Sequence, residues 1–377
     1  MTLRGRIAVV GAGFAGSVAA WRLAEAGLEP VLFDRLPEPG SEAACGGVML
    51  RSLGEHLGMG EVASQPVDTV HILGGRRPRT LRFRRPVFVS FDRGALDRDL
   101  ALRAVAGGAD LRPGCRVTDW HPPTGELGWT EDGRMHRERF RAIVFADGPR
   151  TLAAAGGLGV DPGSPEGGAM YRELRIPEGD RSWISFSFTM AADDPGYHWV
   201  FPKGGRLQVG VGRLHGRRRT PLRTLLDRFI AGDPRLATLP VAGSRGGIIP
   251  FRPARTFGSV NAMVVGDAAG LVNPLTGGGL VYAAASGEMA AAALVWAERR
   301  GEDGAAAALR YADRLERSVH MAWLRVLQVP FTSQHRRVAS GRPTLYRPLC
   351  LLYAMILPRL TPLADAITLR GPRGGNP

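Results

Sequence analysis

The stretch "IAVVGAGFAGSVAAWRLAEAGLEPVLFD", residues 7 to 34, decides the fold. An apolar run meets a glycine-rich turn, a helix-length segment of small and apolar residues follows, and a second apolar run closes on Asp34. The pattern reads as strand, turn, helix, strand. Gly11 permits a tight turn after the strand, Gly13 lets backbone approach a pyrophosphate, and Gly16 lets the helix pack closely on the sheet. The phosphates then sit at a helix N-terminus. Asp34 follows Gly11 by 23 positions, near the spacing of about 20 at which a carboxylate takes the hydroxyls of an adenosine ribose. Arg35 beside it is a further candidate contact. A lone GxGxxG also occurs as a simple turn; the flanking strand, helix and terminal acid make this one a dinucleotide site.

Composition sets the limits around that unit. The chain has 377 residues, 44% hydrophobic and 22% charged, the make-up of a globular protein with two or three cooperating units. Lys+Arg exceed Asp+Glu by 49 to 35, giving +14. Every basic residue except Lys203 is arginine, which looks like codon bias spread over the surface and weakens the nucleic-acid reading of a high pI. No nucleic-acid partner is expected. The arginine-rich run "RRPRTLRFRR", residues 76 to 85, alternates Leu81 and Phe83 with Arg82 and Arg84, as a strand with one buried and one solvated face does. Three cysteines, Cys45, Cys115 and Cys350, show no CxxC spacing, so neither a disulfide framework nor a metal site is suggested. The expectation is a reducing, cytoplasmic compartment. No apolar run reaches the roughly 20 residues of a spanning helix. The nearest, "LCLLYAMIL" at 349 to 357, reads as a buried helix or as one resting on the inner face of a membrane.

A second segment narrows the cofactor. "VVGDAAGLVNPLTGGGLVYAAASGEMAAAAL", residues 264 to 294, is a strand ending in Gly266 and Asp267, a turn bearing Pro274, Gly277, Gly278 and Gly279, then a long helix opening at Leu280. Nicotinamide dehydrogenases need little beyond the first unit, whereas FAD enzymes of this type add contacts from distant parts of the chain. Asp267 is placed to accept hydrogen bonds from ribityl hydroxyls. Amides of the 276–279 turn can point at a ring carbonyl as charge develops there.

The trio "GAGFAG", "VVGDAAG" and "NPLTGGGL" resembles the flavoprotein superfamily of para-hydroxybenzoate hydroxylase type, which includes aromatic hydroxylases, halogenases and geranylgeranyl reductases. Supporting pieces follow in order: "FDRGALDRDLALRA" at 91 to 104, "LRPGCRVTDW" at 111 to 120 and "IVFADGPRT" at 143 to 151. The resemblance implies that Arg93 lies near the cofactor, that Val117 gives backbone contacts to the adenine, and that Asp147 and Gly148 lie toward the flavin. Asp97 is alternatively a helix cap, and Asp147 with Gly148 an ordinary turn.

Two further stretches resemble one branch, the geranylgeranyl reductases: "YHWVFPKGGRLQVGVG" at 197 to 212 and "AACGGVML" at 43 to 50. Along a strand, Tyr197, Trp199 and Phe201 share one face while His198 and Val200 share the other. Such a face is either sheet core or the wall of an apolar slot, and the resemblance favours the slot, beside the flavin. It also places Cys45 and Gly46 at the cofactor. The pattern departs from the family at Val48, where a further glycine or glutamate is usual, and at Gly278, where glutamate is usual.

The resulting expectation is an α/β chain. A Rossmann-like FAD-binding domain (1–65, 91–164 and 258–300) carries an inserted, mainly antiparallel substrate domain (66–90 and 165–257), and a helical C-terminal region follows (301–377). The implied reaction is saturation of carbon–carbon double bonds in a prenyl chain or similar polyene by hydride from reduced FAD. NADPH or another donor, such as an electron-carrier protein, would reduce the flavin. Tyr197, Trp199 and Phe201 would hold the substrate, and the proton would come from Cys45, from Tyr197 or from the flavin itself. Cys45 also fits a small buried apolar role. The alternative is an oxygenase hydroxylating an aromatic or polyketide-like molecule. A halogenase is set aside because Lys203, the one lysine, lies off the strand that chemistry needs.

Overall fold

The computed structural model describes residues 5–60, 62, 64–73, 79–163, 166–178, 186–190, 196–214 and 220–339. The apolar run 349–357 and Cys350 lie outside them, as do Arg76 and Arg77.

The quoted opening stretch folds as read. Ile7–Val10 and Pro30–Phe33 pair in parallel, Ile7 opposite Pro30, with helix Phe14–Glu25 between them. They belong to a six-stranded sheet ordered Gly258–Ser259, Ala262–Val264, Ala142–Phe145, Ile7–Val10, Pro30–Phe33, Asp110–Arg112. All pairs are parallel except that of the edge strand Gly258–Ser259. Every residue of the three central strands Ala142–Phe145, Ile7–Val10 and Pro30–Phe33 is buried, as a parallel sheet covered on both faces requires.

Helices Phe14–Glu25, Arg93–Ala106 and Leu280–Arg300 cover one face. Glycines let them close up: a Cβ on Gly287 would lie 2.7 Å from the carbonyl oxygen of Ala15. Leu280–Arg300 is long and apolar enough to cross a membrane by length and composition. The count of uninterrupted apolar residues missed it because Ser286 and Glu288 break the run. Its Ala283, Ala284, Ala290, Ala291 and Leu294 are buried in the core. The other face carries the antiparallel strands Arg116–His121, Glu126–Glu131 and Arg134–Arg139, whose Trp129 packs 5.0 Å from Phe33, ring centre to ring centre.

A second sheet of seven strands runs Val241–Pro250, Glu166–Arg175, Arg206–Leu214, Gly196–Pro202, Phe186–Met190, Thr69–Leu73, Arg79–Arg82. Neighbours are antiparallel except Phe186–Met190 with Thr69–Leu73. Residues 246–250 form part of its edge strand, because Glu166–Arg175 offers a free row of backbone groups there. Helix Leu222–Ala231 packs Leu226 and Ile230 on Val200, Val209 and Val211, each such side chain contributing about 2 kcal/mol by burial. His198 stacks on Phe229 of this helix at 4.4 Å. The opposite face carries Trp199 and Phe201. The arginine-rich strand keeps its alternation: Leu81 and Phe83 pack on that cluster while Arg82 and Arg84 are exposed.

A small antiparallel sheet of Val48–Leu50, Phe88–Phe91 and Ser64–Val67 bridges the two large ones. Helices Gly304–Glu316 and Val319–Ala339 follow. They are anchored where the Tyr311 hydroxyl donates to the Val264 carbonyl at 2.7 Å and Gln328 donates to the Phe251 carbonyl at 2.6 Å.

Candidate active site

The three glycines of the first turn have three different reasons to be there. Gly11 has φ +100°, and a Cβ on it would lie 2.5 Å from the Ala146 carbonyl oxygen. A Cβ on Gly16 would lie 1.9 Å from the carbonyl oxygen of Gly11. Packing therefore forbids side chains at both. A Cβ on Gly13 would meet nothing within 4 Å. Gly13 is also the N-cap of helix Phe14–Glu25 and supplies no side-chain cap. Open space at an uncapped helix N-terminus is what a pyrophosphate fills.

Asp34 closes the second strand with both oxygens on backbone: Oδ2 accepts from Ala12 N and Oδ1 from Leu36 N, each at 2.8 Å. Burial pushes its carboxyl up, and the two amides only partly offset that. Arg35 turns away to Glu42 at 2.7 Å, both exposed. Val117 is half-buried and pairs with Trp129 across the strands. Asp147 accepts from Leu152 N at 2.8 Å and so builds the turn after Ala142–Phe145. Burial pushes its carboxyl up as well. Gly148 beside it has φ +86°, and a Cβ there would meet nothing within 4 Å.

The second motif comes to the same place. Gly266, at φ +58°, packs on the first helix, where its Cβ would lie 2.8 Å from that of Ala15. The Asp267 carboxyl has no hydrogen-bond partner among the described residues, while its backbone carbonyl accepts from Gly270 N; burial pushes the carboxyl up, with the Arg93 charge opposing. Its Oδ1 lies 3.4 Å from where Gly279 would carry a Cβ. Asn273, which sequence reading passed over, shapes the following turn: its Oδ1 accepts from Leu275 N at 2.9 Å and Thr276 N at 3.3 Å. An Asn before Pro274 carries that signal, since Asn side chains mimic a backbone turn. Gly279 caps helix Leu280–Arg300 without a side-chain bond, leaving a second helix N-terminus open.

Arg93 ties these parts together. Its Nε donates to Asp97 Oδ1 at 2.6 Å, and its guanidinium lies 5.3 Å from the Phe14 ring centre. Burial opposes its charge, but Asp97 and Cys45 beside it outweigh that and hold it protonated. Asp92, not Asp97, caps helix Arg93–Ala106, accepting from Ala95 N at 2.9 Å.

The aromatic strand spans the gap between the two turns. At one end the Tyr197 hydroxyl donates to the Thr276 carbonyl. At the other, a Cβ on Gly46 would lie 3.3 Å from the Phe201 ring. Between them Trp199 lies 5.7 Å from Tyr197 and 6.0 Å from Phe201. Trp199 and Phe201 are 4% and 6% exposed, so they are packed, and only Tyr197 is half-buried at the end facing Gly277. Gly210 across the ladder makes room for the indole, since a Cβ there would lie 2.2 Å from it.

Sequence reading also missed what holds the cysteine turn. Gln208, opposite Phe201, accepts from Trp199 Nε1 at 3.3 Å and donates to the Cys45 carbonyl at 2.9 Å. Lys203 Nζ donates to the carbonyls of Gly47 at 3.2 Å and Phe91 at 2.6 Å. The Tyr171 hydroxyl reaches the Ala43 carbonyl at 3.4 Å, and burial pushes it up to about 12. Strand alternation gives these residues a side, but no local pattern gives them partners more than 100 positions away.

Two open helix ends, the unpartnered Asp267 carboxyl and the half-buried Arg93, brought from three parts of the chain to the C-terminal ends of a parallel sheet, fit a flavin dinucleotide. The fold and site define an FAD-dependent oxidoreductase. Residues 9–51 match the NAD(P)-binding Rossmann-like domain. The chain is 34% identical over 332 residues to digeranylgeranylglycerophospholipid reductase 1 of Methanopyrus kandleri, covering 82% of this chain and 85% of that one. It is 29% identical over 321 residues to menaquinone reductase of Mycolicibacterium smegmatis, covering 77% and 76%. A solved structure of a geranylgeranyl bacteriochlorophyll reductase-like protein from Thermoplasma acidophilum shares the fold with a TM-score of 0.77 at 23% identity, over 96% of this chain and 99% of that one. The chain belongs to the geranylgeranyl reductase family.

Proposed function

We propose that this enzyme saturates carbon–carbon double bonds of a prenyl chain or similar lipophilic polyene. The observation that carries the reading is the aromatic row Tyr197, Trp199, Phe201, tied at one end to the turn after Asp267 and at the other to the turn of Cys45 and Gly46. The relatives named above, a lipid reductase and a menaquinone reductase, support the substrate class.

When bound, reduced FAD supplies the hydride. Gly11, Gly13, Gly16 and the first helix N-terminus hold the pyrophosphate, and Asp34, Arg35 and Val117 serve the adenosine side. Arg93, Asp147, Gly148, Gly266 and Asp267 would hold the ribityl and flavin side, together with the turn of Pro274, Gly277, Gly278, Gly279 and Leu280. Tyr197, half-buried at the end of the row, orients the double bond, Trp199 and Phe201 packed behind it keep water out, and Cys45 gives the proton. The first domain is taken as 1–65, 91–164 and 258–300, and the second as 66–90 and 165–257. NADPH or an electron-carrier protein reduces the flavin, and a peripheral membrane contact delivers the lipid.

The test is anaerobic incubation of the dithionite-reduced enzyme with geranylgeranyl lipids and with menaquinone, followed by mass spectrometry. Gain of two hydrogens per turnover is expected. A product formed only with oxygen, one oxygen atom heavier, would replace this reading with a hydroxylase.

A further inference from the structure

The cysteine turn is held from two adjacent strands of the large antiparallel sheet. Gln208 takes the Cys45 carbonyl and Lys203 takes that of Gly47. The Gly47 carbonyl already accepts from Phe91 N at 2.9 Å, so the ammonium closes a small cage of three groups. Gly47 has φ +57°, and a Cβ on it would lie 2.0 Å from Nζ. Only glycine leaves room for the cation.

We propose that Lys203 is a positioning residue for Cys45: from the end of the aromatic strand it clamps the cysteine turn and holds a positive charge beside the thiol, stabilising the sulfur when it gives up its proton. This rests on the reading of Cys45 as proton donor. In that step the S–H bond breaks and its proton goes to the carbon next to the one taking the hydride. The electron pair stays on sulfur, and solvent later returns a proton. The hydride comes from reduced FAD, itself reduced by a nicotinamide or a carrier protein.

Three features support the assignment. Taking an ammonium out of water is costly unless it is paired and hydrogen-bonded, and backbone carbonyls hydrogen-bond it without neutralising it. The groups facing Lys203 are Cys45 on the turn, Asp92 after strand Phe88–Phe91 and Glu173 on Glu166–Arg175, and none of the three forms an ion pair with it among the described residues. Arg93 borders Cys45 from the helix side and is a second cation beside the same turn. Finally, the chain uses arginine at every other basic position, 49 minus 1, yet has lysine here. A compact ammonium fits between two carbonyls where a planar guanidinium does not. Burial pushes the amine down to about 8, so the charge is lost just above neutral pH.

The single lysine makes the test direct. Protein grown with lysine labelled at the side-chain nitrogen gives one such NMR signal, expected to titrate near 8. A midpoint near the free value of about 10.4 would overturn the buried clamp. Alkylation of Cys45 by iodoacetamide at pH 7, read by peptide mapping so that Cys115 and Cys350 serve as internal controls, should slow at least fivefold in Lys203→Met and in Lys203→Gln. Glutamine still donates to carbonyls but carries no charge, and it keeps the test alive if the methionine variant fails to fold. An unchanged rate in Lys203→Gln would overturn the proposal. Turnover per bound FAD should fall about tenfold in both variants with KM kept. Alkylation needs no substrate, so a wrong substrate class and a wrong role for Lys203 give different results.

Discussion

Two glycine turns meet at this site, and they are held in different ways. The turn of Gly11 and Gly16 is held by its own neighbourhood: Gly16 rests on Gly11, Gly11 on Ala146, and Asp34 returns to Ala12. The turn of Cys45 and Gly47 is held by side chains from the other large sheet, Gln208, Lys203 and the Phe201 ring. A cofactor turn must keep one shape before any ligand arrives. The cysteine turn, in contrast, adds contacts from the large antiparallel sheet to its own bond from Phe91 N to the Gly47 carbonyl.

The sharpest way to break this contrast is Gly16→Ala. Its methyl would meet backbone that cannot move away, and we expect a loss of about 3 kcal/mol or more with no bound flavin. Chemical denaturation of the apoprotein measures it. A variant as stable as the parent would mean that the first turn is looser than its contacts indicate.

Gln208→Leu attacks the second turn. It leaves the Trp199 indole N–H and the Cys45 carbonyl without their shared partner in a buried place, at a cost of about 2 kcal/mol. The variant should still bind FAD while its turnover falls, because the damage lies on the cysteine side. Loss of FAD with retained stability would show that the two turns are not separable.

The same difference explains what could be read in advance. Gly11, Gly13, Gly16, Asp34, Gly266 and Asp267 lie in short segments whose spacing carries the geometry, and the structure brings all six to one sheet end. The face shared by Tyr197, Trp199 and Phe201 also follows from strand alternation. Gln208 and Lys203 were invisible as partners, because their contacts join residues 163 and 156 positions apart. The cap alternative for Asp97 follows from its place near a helix start; Asp92 holds the cap, and Asp97 pairs with Arg93 one helical turn before it. The long helix opening at Leu280 forms as its small residues indicate, and only its apolar length escapes a count of uninterrupted residues.

Gly13→Ala returns to the first turn at the position packing leaves free. The apoprotein should change by less than about 1 kcal/mol, the range for an N-cap position. FAD affinity, measured by fluorescence titration, should drop at least tenfold, or about 1.4 kcal/mol. Tight binding by this variant would place the pyrophosphate elsewhere.

The smallest effect, and the one with an unusual sign, belongs to Asp267→Asn. Burial raises the folded carboxyl above its unfolded value, with Arg93 opposing. Stability tied to such a group is fully present below the unfolded value of about 3.9 and is lost as pH rises through the folded one. Asparagine carries no charge and loses nothing over that range. The apo variant should therefore match the parent near pH 4 and exceed it at pH 7, by less than about 1 kcal/mol because water screens a half-buried group. FAD binding should move the other way, since the carboxylate would accept from ribityl hydroxyls more strongly than an amide does. Thermal melts of apo and FAD-loaded protein at both pH values test the pair of signs. Parallel apo curves would mean that Asp267 carries no penalty before the flavin arrives, and that its place beside Gly279 is fixed by packing alone.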